Sequence, residues 1–154
     1  TPVAKEGILD LSTWDFAKDP IVELRGDYEF YWLRFLNQRE LQTESATYFA
    51  KVPQSWNGVL VGNDTTTGHG YATYRLNILI PPGLDDMTLK FMDFGTAGRV
   101  FIDGKMLLQM GQPGTVPKTT KPLYQPKLLN FQPKGQRIEL VLHVANFNHR
   151  SGGA

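Results

Sequence analysis

No cysteine occurs in the 154 residues. Disulfide scaffolds, thiolate nucleophiles and cysteine-ligated metals are therefore excluded, while the compartment stays open, because exported bacterial domains often manage without disulfides. Excess charge is missing too. Sixteen Lys and Arg stand against fifteen Asp and Glu, a net charge of +1, and no basic run stands out, so nucleic acid is not an expected partner. Histidine is scarce, and the spacing of His69, His143 and His149 matches no zinc pattern. Asp64, Asp85, Asp86 and Asp93 form no calcium-ligand pattern either, so neither a metal nor a cofactor is expected. Apolar runs are only a few residues long, which gives no membrane span or signal peptide within these residues. The catalytic signatures Gly-x-Ser-x-Gly, His-Glu-x-x-His and a phosphate-cradling glycine loop are all missing. Asp85-Asp86 are adjacent in a turn, whereas glycoside hydrolysis needs carboxylates opposed across a cleft. The expectation is a protein that is not an enzyme.

What is present is aromatic and strand-like. Aromatic residues make up a generous 12% of the chain; many must lie in the core of an all-β protein, but a few exposed rings are the usual platform for sugars. From Gly70 to Ile80, Ala72, Tyr74, Leu76, Ile78 and Ile80 fall on one face and Tyr71, Thr73, Arg75 and Asn77 on the other. That period of two marks a strand with one face in a core and the other toward solvent or a ligand. Further strands are expected at 7–11, 28–33 (with Tyr28, Phe30 and Trp32 on one face), 47–52, 88–94, 99–102, 105–108, 128–131 and 137–146. Asp103-Gly104 reads as a hairpin turn. Leu33 to Leu41 is the one helical candidate, without an evident cap, and 57–70 and 111–127 read as loops. The pattern predicts a single domain over residues 1–154, an all-β antiparallel β-sandwich of jelly-roll type. The start at Thr1 and the loop-like ending Ser151-Gly152-Gly153-Ala154 suggest a piece cut from a longer protein.

Pro53-Gln54-Ser55-Trp56, the strand start Gly70-Tyr71-Ala72-Thr73-Tyr74-Arg75 and the hairpin Ile102-Asp103-Gly104-Lys105 occur in that order. The combination resembles the galactose-binding-domain-like, sugar-binding N-terminal module of family 2 glycoside hydrolases. Leu24-Arg25-Gly26-Asp27-Tyr28-Glu29-Phe30-Tyr31-Trp32 and the closing Asn146-Phe147-Asn148-His149-Arg150-Ser151-Gly152-Gly153 are similar to a narrower group. These are the extracellular jelly-roll sensor domains of bacterial receptors with seven transmembrane helices and diverse intracellular signalling modules. The resemblance runs from Gly7 to Gly153. It implies a non-catalytic ligand-sensing domain at the periplasmic or extracellular face of the bacterial inner membrane. The implied ligand is a carbohydrate or related small molecule, with downstream transmembrane and cytoplasmic signalling domains, and a second copy in a homodimer, as partners. The rival readings are a carbohydrate-binding module of a hydrolase and a protein-interaction sandwich.

The candidate ligand-binding residues are Trp56, His69, Tyr71, Arg75, Asn146, His149 and Arg150. Arg75 either pairs with sugar hydroxyls or a carboxylate through its planar fork, or makes a cross-sheet ion pair. Trp56 either stacks on a ring or plugs the end of the sandwich. His69 and Tyr71 flank Gly70 at a loop–strand junction, where sandwich loops often form a binding mouth. Asn146, His149 and Arg150 either bind an anion or polyol or satisfy loop carbonyls. Trp14 and Trp32 are assigned to the core or its lid, and His143 to the surface.

Overall fold

The computed structural model describes residues 2–46, 48–52, 60–61, 64–66, 69–91, 97–110 and 127–146. Its strands are β1 (Ile8–Asp10), β2 (Gly26–Trp32), β3 (Tyr48–Val52), β4 (Leu60–Val61), β5 (Asp64–Thr65) and β6 (Gly70–Leu79). They continue with β7 (Met87–Phe91), β8 (Ala97–Ile102), β9 (Lys105–Met110), β10 (Lys127–Phe131) and β11 (Arg137–Asn146). A single helical turn, α1 (Gln38–Leu41), interrupts them. Among the described residues no helix is long and apolar enough to cross a membrane.

The large sheet runs β3-β2-β6-β11-β8-β9, and every pair along that path is antiparallel. β1 departs from the expected antiparallel scheme. It lies parallel to the far half of β6, with Ile8 opposite Asn77 and Asp10 opposite Leu79, on the same edge that β2 occupies only from Glu29 onward. A separate antiparallel pair, β10-β7, packs across the large sheet's inner face, and β4 pairs with β5 in a short hairpin. This is the expected all-β sandwich.

Alternation sets the core. Ala72, Tyr74, Leu76 and Ile78 of β6 and Ile138, Leu140, Leu142 and Val144 of β11 are buried together with Phe30, Tyr28, Leu9 and Val100. β7 and β10 close this layer with Leu89 and Phe131. Three aromatic rings interlock at the centre: Tyr74 meets Phe30 edge-on at 5.1 Å and Tyr28 at 6.3 Å. Each buried ring of this kind stabilises the fold by roughly 1.5–3 kcal/mol through transfer out of water. Trp14 and Trp32 pack on the rim of the same core, as their assignment required. The hairpin forms at Asp103-Gly104, whose φ angles of 50° and 83° give the doubly left-handed turn that suits strand twist.

The outer face of the sheet differs from its expectation. Rather than lying open, it is crossed by residues 33–46, which pack Leu36, Leu41 and Ala46 against Tyr31, Val141 and Phe101 in a second, smaller core. Leu33 takes a left-handed φ of 56° where β2 ends, and its N–H bonds Tyr71 O at 2.7 Å. The short helix is capped after all. Asn37 accepts from Glu40 N at 2.9 Å while Glu40 reaches back to Asn37 N at 3.1 Å. That reciprocal pair satisfies two otherwise orphaned N–H groups.

Candidate functional site

The period of two puts Glu29 and Tyr31 of β2, Tyr71, Thr73, Arg75 and Asn77 of β6, and Arg137, Glu139 and His143 of β11 on the outer face. Thr73 is fully buried there and fastens the crossing segment. Its hydroxyl accepts from Leu36 N at 3.0 Å and donates to Arg34 O at 2.7 Å. Arg75 lies at the centre of the polar residues. Its Nε and Nη2 reach Oε2 of Glu139 at 3.0 and 2.9 Å, and Nη1 lies 3.6 Å from Oε1 of Glu29. Tyr31 donates its hydroxyl to the same Glu29 oxygen at 2.6 Å. Burial first, then that carboxylate, raises the Tyr31 phenol well above its ordinary pKa. One guanidinium therefore holds two carboxylates across three strands.

Beyond this cluster the outer face opens into a cleft of about 370 Å³. Gln38 of the helical turn and Gln42 just past it form one wall, and Arg75, Asn77, Arg137, Glu139 and Asp103 form the rest. Arg137 directs Nε and Nη2 onto Oδ1 of Asn77 at 3.2 and 2.9 Å, and Asp103 accepts from Glu139 N at 2.9 Å. A second cleft of about 370 Å³ at the amino end is lined by Pro2, Val3, Ile21, Glu23 and Arg25. Its acid and base are largely spent on each other in an exposed pair, which leaves little for recognition.

The sequence candidates among the described residues do not converge. Tyr71 is half-buried on the outer face, its ring 4.9 Å from Phe35. Asn146 pairs with Gly70 in register and, two residues beyond Val144, shares the core-side face, where it is 1% exposed. His69 is exposed at the loop–strand junction. Arg75 lies four residues further along, roughly 13 Å from Tyr71 at strand rise, and makes the cross-sheet ion pair. Trp56, His149 and Arg150 lie outside the described residues. Glu29, Glu139 and Arg137 were missed by sequence reasoning. Their signal was available: acids at alternate positions on the strands flanking Arg75.

His143 corrects its surface assignment. The ring is 5% exposed, stacked on Phe35 at 4.8 Å and tilted against Phe101 at 4.6 Å. It does face away from the main core, as alternation requires, but the crossing segment covers it. Nε2 lies 2.8 Å from Leu36 O and Nδ1 lies 3.3 Å from Nη1 of Arg99. A carbonyl only accepts and a guanidinium only donates, so the ring is assigned the neutral tautomer with its hydrogen on Nε2. Burial first, opposed by the Leu36 bond and reinforced by the Arg99 charge, holds its pKa below the usual 6.5. The unfolded chain therefore binds this proton at higher pH than the folded one. Stability is full above pH about 6.5 and declines as pH falls through the folded-state pKa. We expect the urea midpoint of the native chain to drop over that range more steeply than that of His143→Gln. The difference between the two should stay within one proton's slope, about 1.36 kcal/mol per pH unit.

With this geometry in place, comparison with known proteins gives a fold. No family model matches the chain, and no curated protein matches it in sequence. Solved structures do. A β-glucuronidase from an uncultured Clostridium species is similar with a TM-score of 0.60 and 15% identity, covering 83% of this chain and 22% of that one. The β-glucuronidase of Faecalibacterium prausnitzii gives 0.58 and 16%, covering 83% and 21%. The GH2 β-galacturonidase of Eisenbergiella tayi, bound to galacturonate, gives 0.56 and 17%, covering 82% and 21%. This chain spans about a fifth of the length of these enzymes. It has the β-sandwich fold of one portion of them.

Proposed function

We propose that this chain is a non-catalytic carbohydrate-binding domain that acts as the extracytoplasmic sensor of a bacterial transmembrane receptor. The observation that carries the binding half is the outer-face cleft, where amides, two guanidiniums and two carboxylates line one hollow. Its acids favour binding over catalysis, since Glu139 is engaged by Arg75 and Asp103 by the Glu139 backbone N–H. Likeness in fold to portions of sugar-processing enzymes supports the ligand class. The sensor half rests on the sequence resemblance between Gly7 and Gly153, which implies membrane helices and a signalling module downstream and a second copy as partner. Ligand binding transmits a signal only through different affinities for two states of the receptor.

A second reading, an accessory module of a glycoside hydrolase, is favoured by the enzymes that share the fold. The gene beyond residue 154 separates the two. Several segments of about 20 apolar residues support the receptor, whereas alternating strands and helices of a (β/α)₈ barrel support the hydrolase. Binding itself is tested by thermal unfolding across a glycan and metabolite array. A ligand at a hundred times its dissociation constant stabilises by about 2.7 kcal/mol, which raises Tm by roughly 5–10 °C in a domain of this size. Silence across the array would favour a protein-interaction domain.

A further inference from the structure

We infer that the cleft between α1 and the β6–β11 pair takes a neutral polyhydroxylated ring and rejects its carboxylate-bearing counterpart. The inference rests on the carbohydrate-binding reading and names the site and the chemical class for it.

Glu139 is 8% exposed and lines the cleft. Its Oε2 is taken by Arg75, but Oε1 has no hydrogen-bond partner, the only buried side-chain oxygen or nitrogen so placed among the described residues. A buried carboxylate oxygen left bare is costly, and what relieves it is a donor. The groups around the cleft offer both kinds of bond. The side-chain amides of Gln38 and Gln42 carry no bond among the described residues. Among the described residues the Asn77 amide nitrogen and Arg137 Nη1 are uncommitted donors, and Asp103 Oδ2 is an uncommitted acceptor. Hydroxyls, which donate and accept at once, match such a lining.

Charge then chooses among sugars. Arg75 and Arg137 bring two positive charges, and Arg75 is already shared between Glu29 and Glu139. With Asp103 in the lining and Glu29 behind it on Arg75, three carboxylates stand against two guanidiniums, an excess of one negative charge to which a uronate would add another. A uronate placed here meets Glu139 and Asp103 with like charge, whereas a neutral ring meets only hydrogen-bonding groups. Since Oε1 is out of solvent's reach, the ring must displace a lining side chain to meet it. Gln38 and Gln42, exposed and unbranched, are the ones able to swing aside and then bond the ring's hydroxyls from the rim.

The test is side-chain amide NMR on the 154-residue chain with D-glucose, D-galactose, D-mannose, L-arabinose, D-glucuronate and D-galacturonate. At least one neutral sugar should shift the amide signals of Gln42 and Asn77, and the matching uronate should bind at least about tenfold more weakly. Gln38→Ala with Gln42→Ala, both at exposed positions, should weaken that neutral sugar about tenfold while leaving the unfolding midpoint in place. A uronate that binds as well as its neutral counterpart overturns the assigned class. Cleft signals that stay still under all six sugars overturn the site, whether or not the wider array yields a ligand. Should that array yield one, binding elsewhere, the carbohydrate reading stands alone; should it yield none, both fall.

Discussion

Arg75→Ala should destabilise the domain by about 3–5 kcal/mol, a large share of the roughly 5–15 kcal/mol that holds a domain folded. The reason is what the substitution leaves behind. Side-chain exposure is 14% for Arg75 and Glu29 and 10% for Glu139. Removing the guanidinium therefore strands two carboxylates where water cannot fully replace it. Urea unfolding at pH 7 measures the loss. Adding Glu29→Gln and Glu139→Gln to Arg75→Met should restore most of the stability, since a buried ion pair has little net value over well-fitted neutral groups. A loss below about 1 kcal/mol would place the cluster with ordinary surface pairs and would show that water reaches it freely.

Gly26→Ala is the second large effect, expected to cost about 3 kcal/mol or more. Gly26 adopts φ of 121°, a conformation that side chains rarely tolerate, and an added Cβ would drive into the backbone N and O of Ala4. Those atoms are committed: Ala4 N donates to Arg25 O at 2.7 Å, and Asp27 N donates to Ala4 O at 2.9 Å. Backbone strain of about 1–3 kcal/mol thus comes with hydrogen bonds worth about 0.5–1.5 kcal/mol each. Gly83→Ala is the control. Its φ of 83° is equally left-handed, but a Cβ there meets nothing within 4 Å, so only the backbone strain applies. Chemical denaturation should rank Gly26→Ala well below Gly83→Ala, with hydrogen exchange at Ala4, Gly7 and Asp27 accelerated first. Equal losses in the two variants would show that the amino-terminal segment yields to the intrusion.

The main core was legible because a period of two needs no knowledge of neighbours. β11 begins and ends where alternation placed it, and Asp103-Gly104 turns as its dipeptide required. The outer face was not legible, for a reason the residues make plain. Thr73, Arg75 and Asn77 read as solvent-facing by pattern, yet polar side chains bury readily once a neighbour satisfies them. For Thr73 that neighbour is residues 33–46, whose apolar positions Leu36 and Leu41 are too few to announce a covering layer, while Arg75 and Asn77 find theirs on the flanking strands. His143 was misplaced by the same omission. Glu29 and Glu139 were within reach, since cross-strand complementarity to Arg75 follows from the alternation of three strands. Nearness along the chain groups Asn146 with His149 and Arg150, but alternation two residues beyond Val144 turns its side chain to the core-side face.

The parallel seat of β1 beside the far half of β6 constrains how this polypeptide reaches its native state. Ile8 finds its strand neighbour at Asn77, and β6 in turn needs β11, which closes at Asn146. During synthesis the first strand emerges long before anything exists for it to join, and the central ladder stays incomplete until the last strand arrives. Assembly dominated by such distant pairings belongs to the slow regime of milliseconds to seconds. The amino-terminal clasp should accordingly be among the last features to lock.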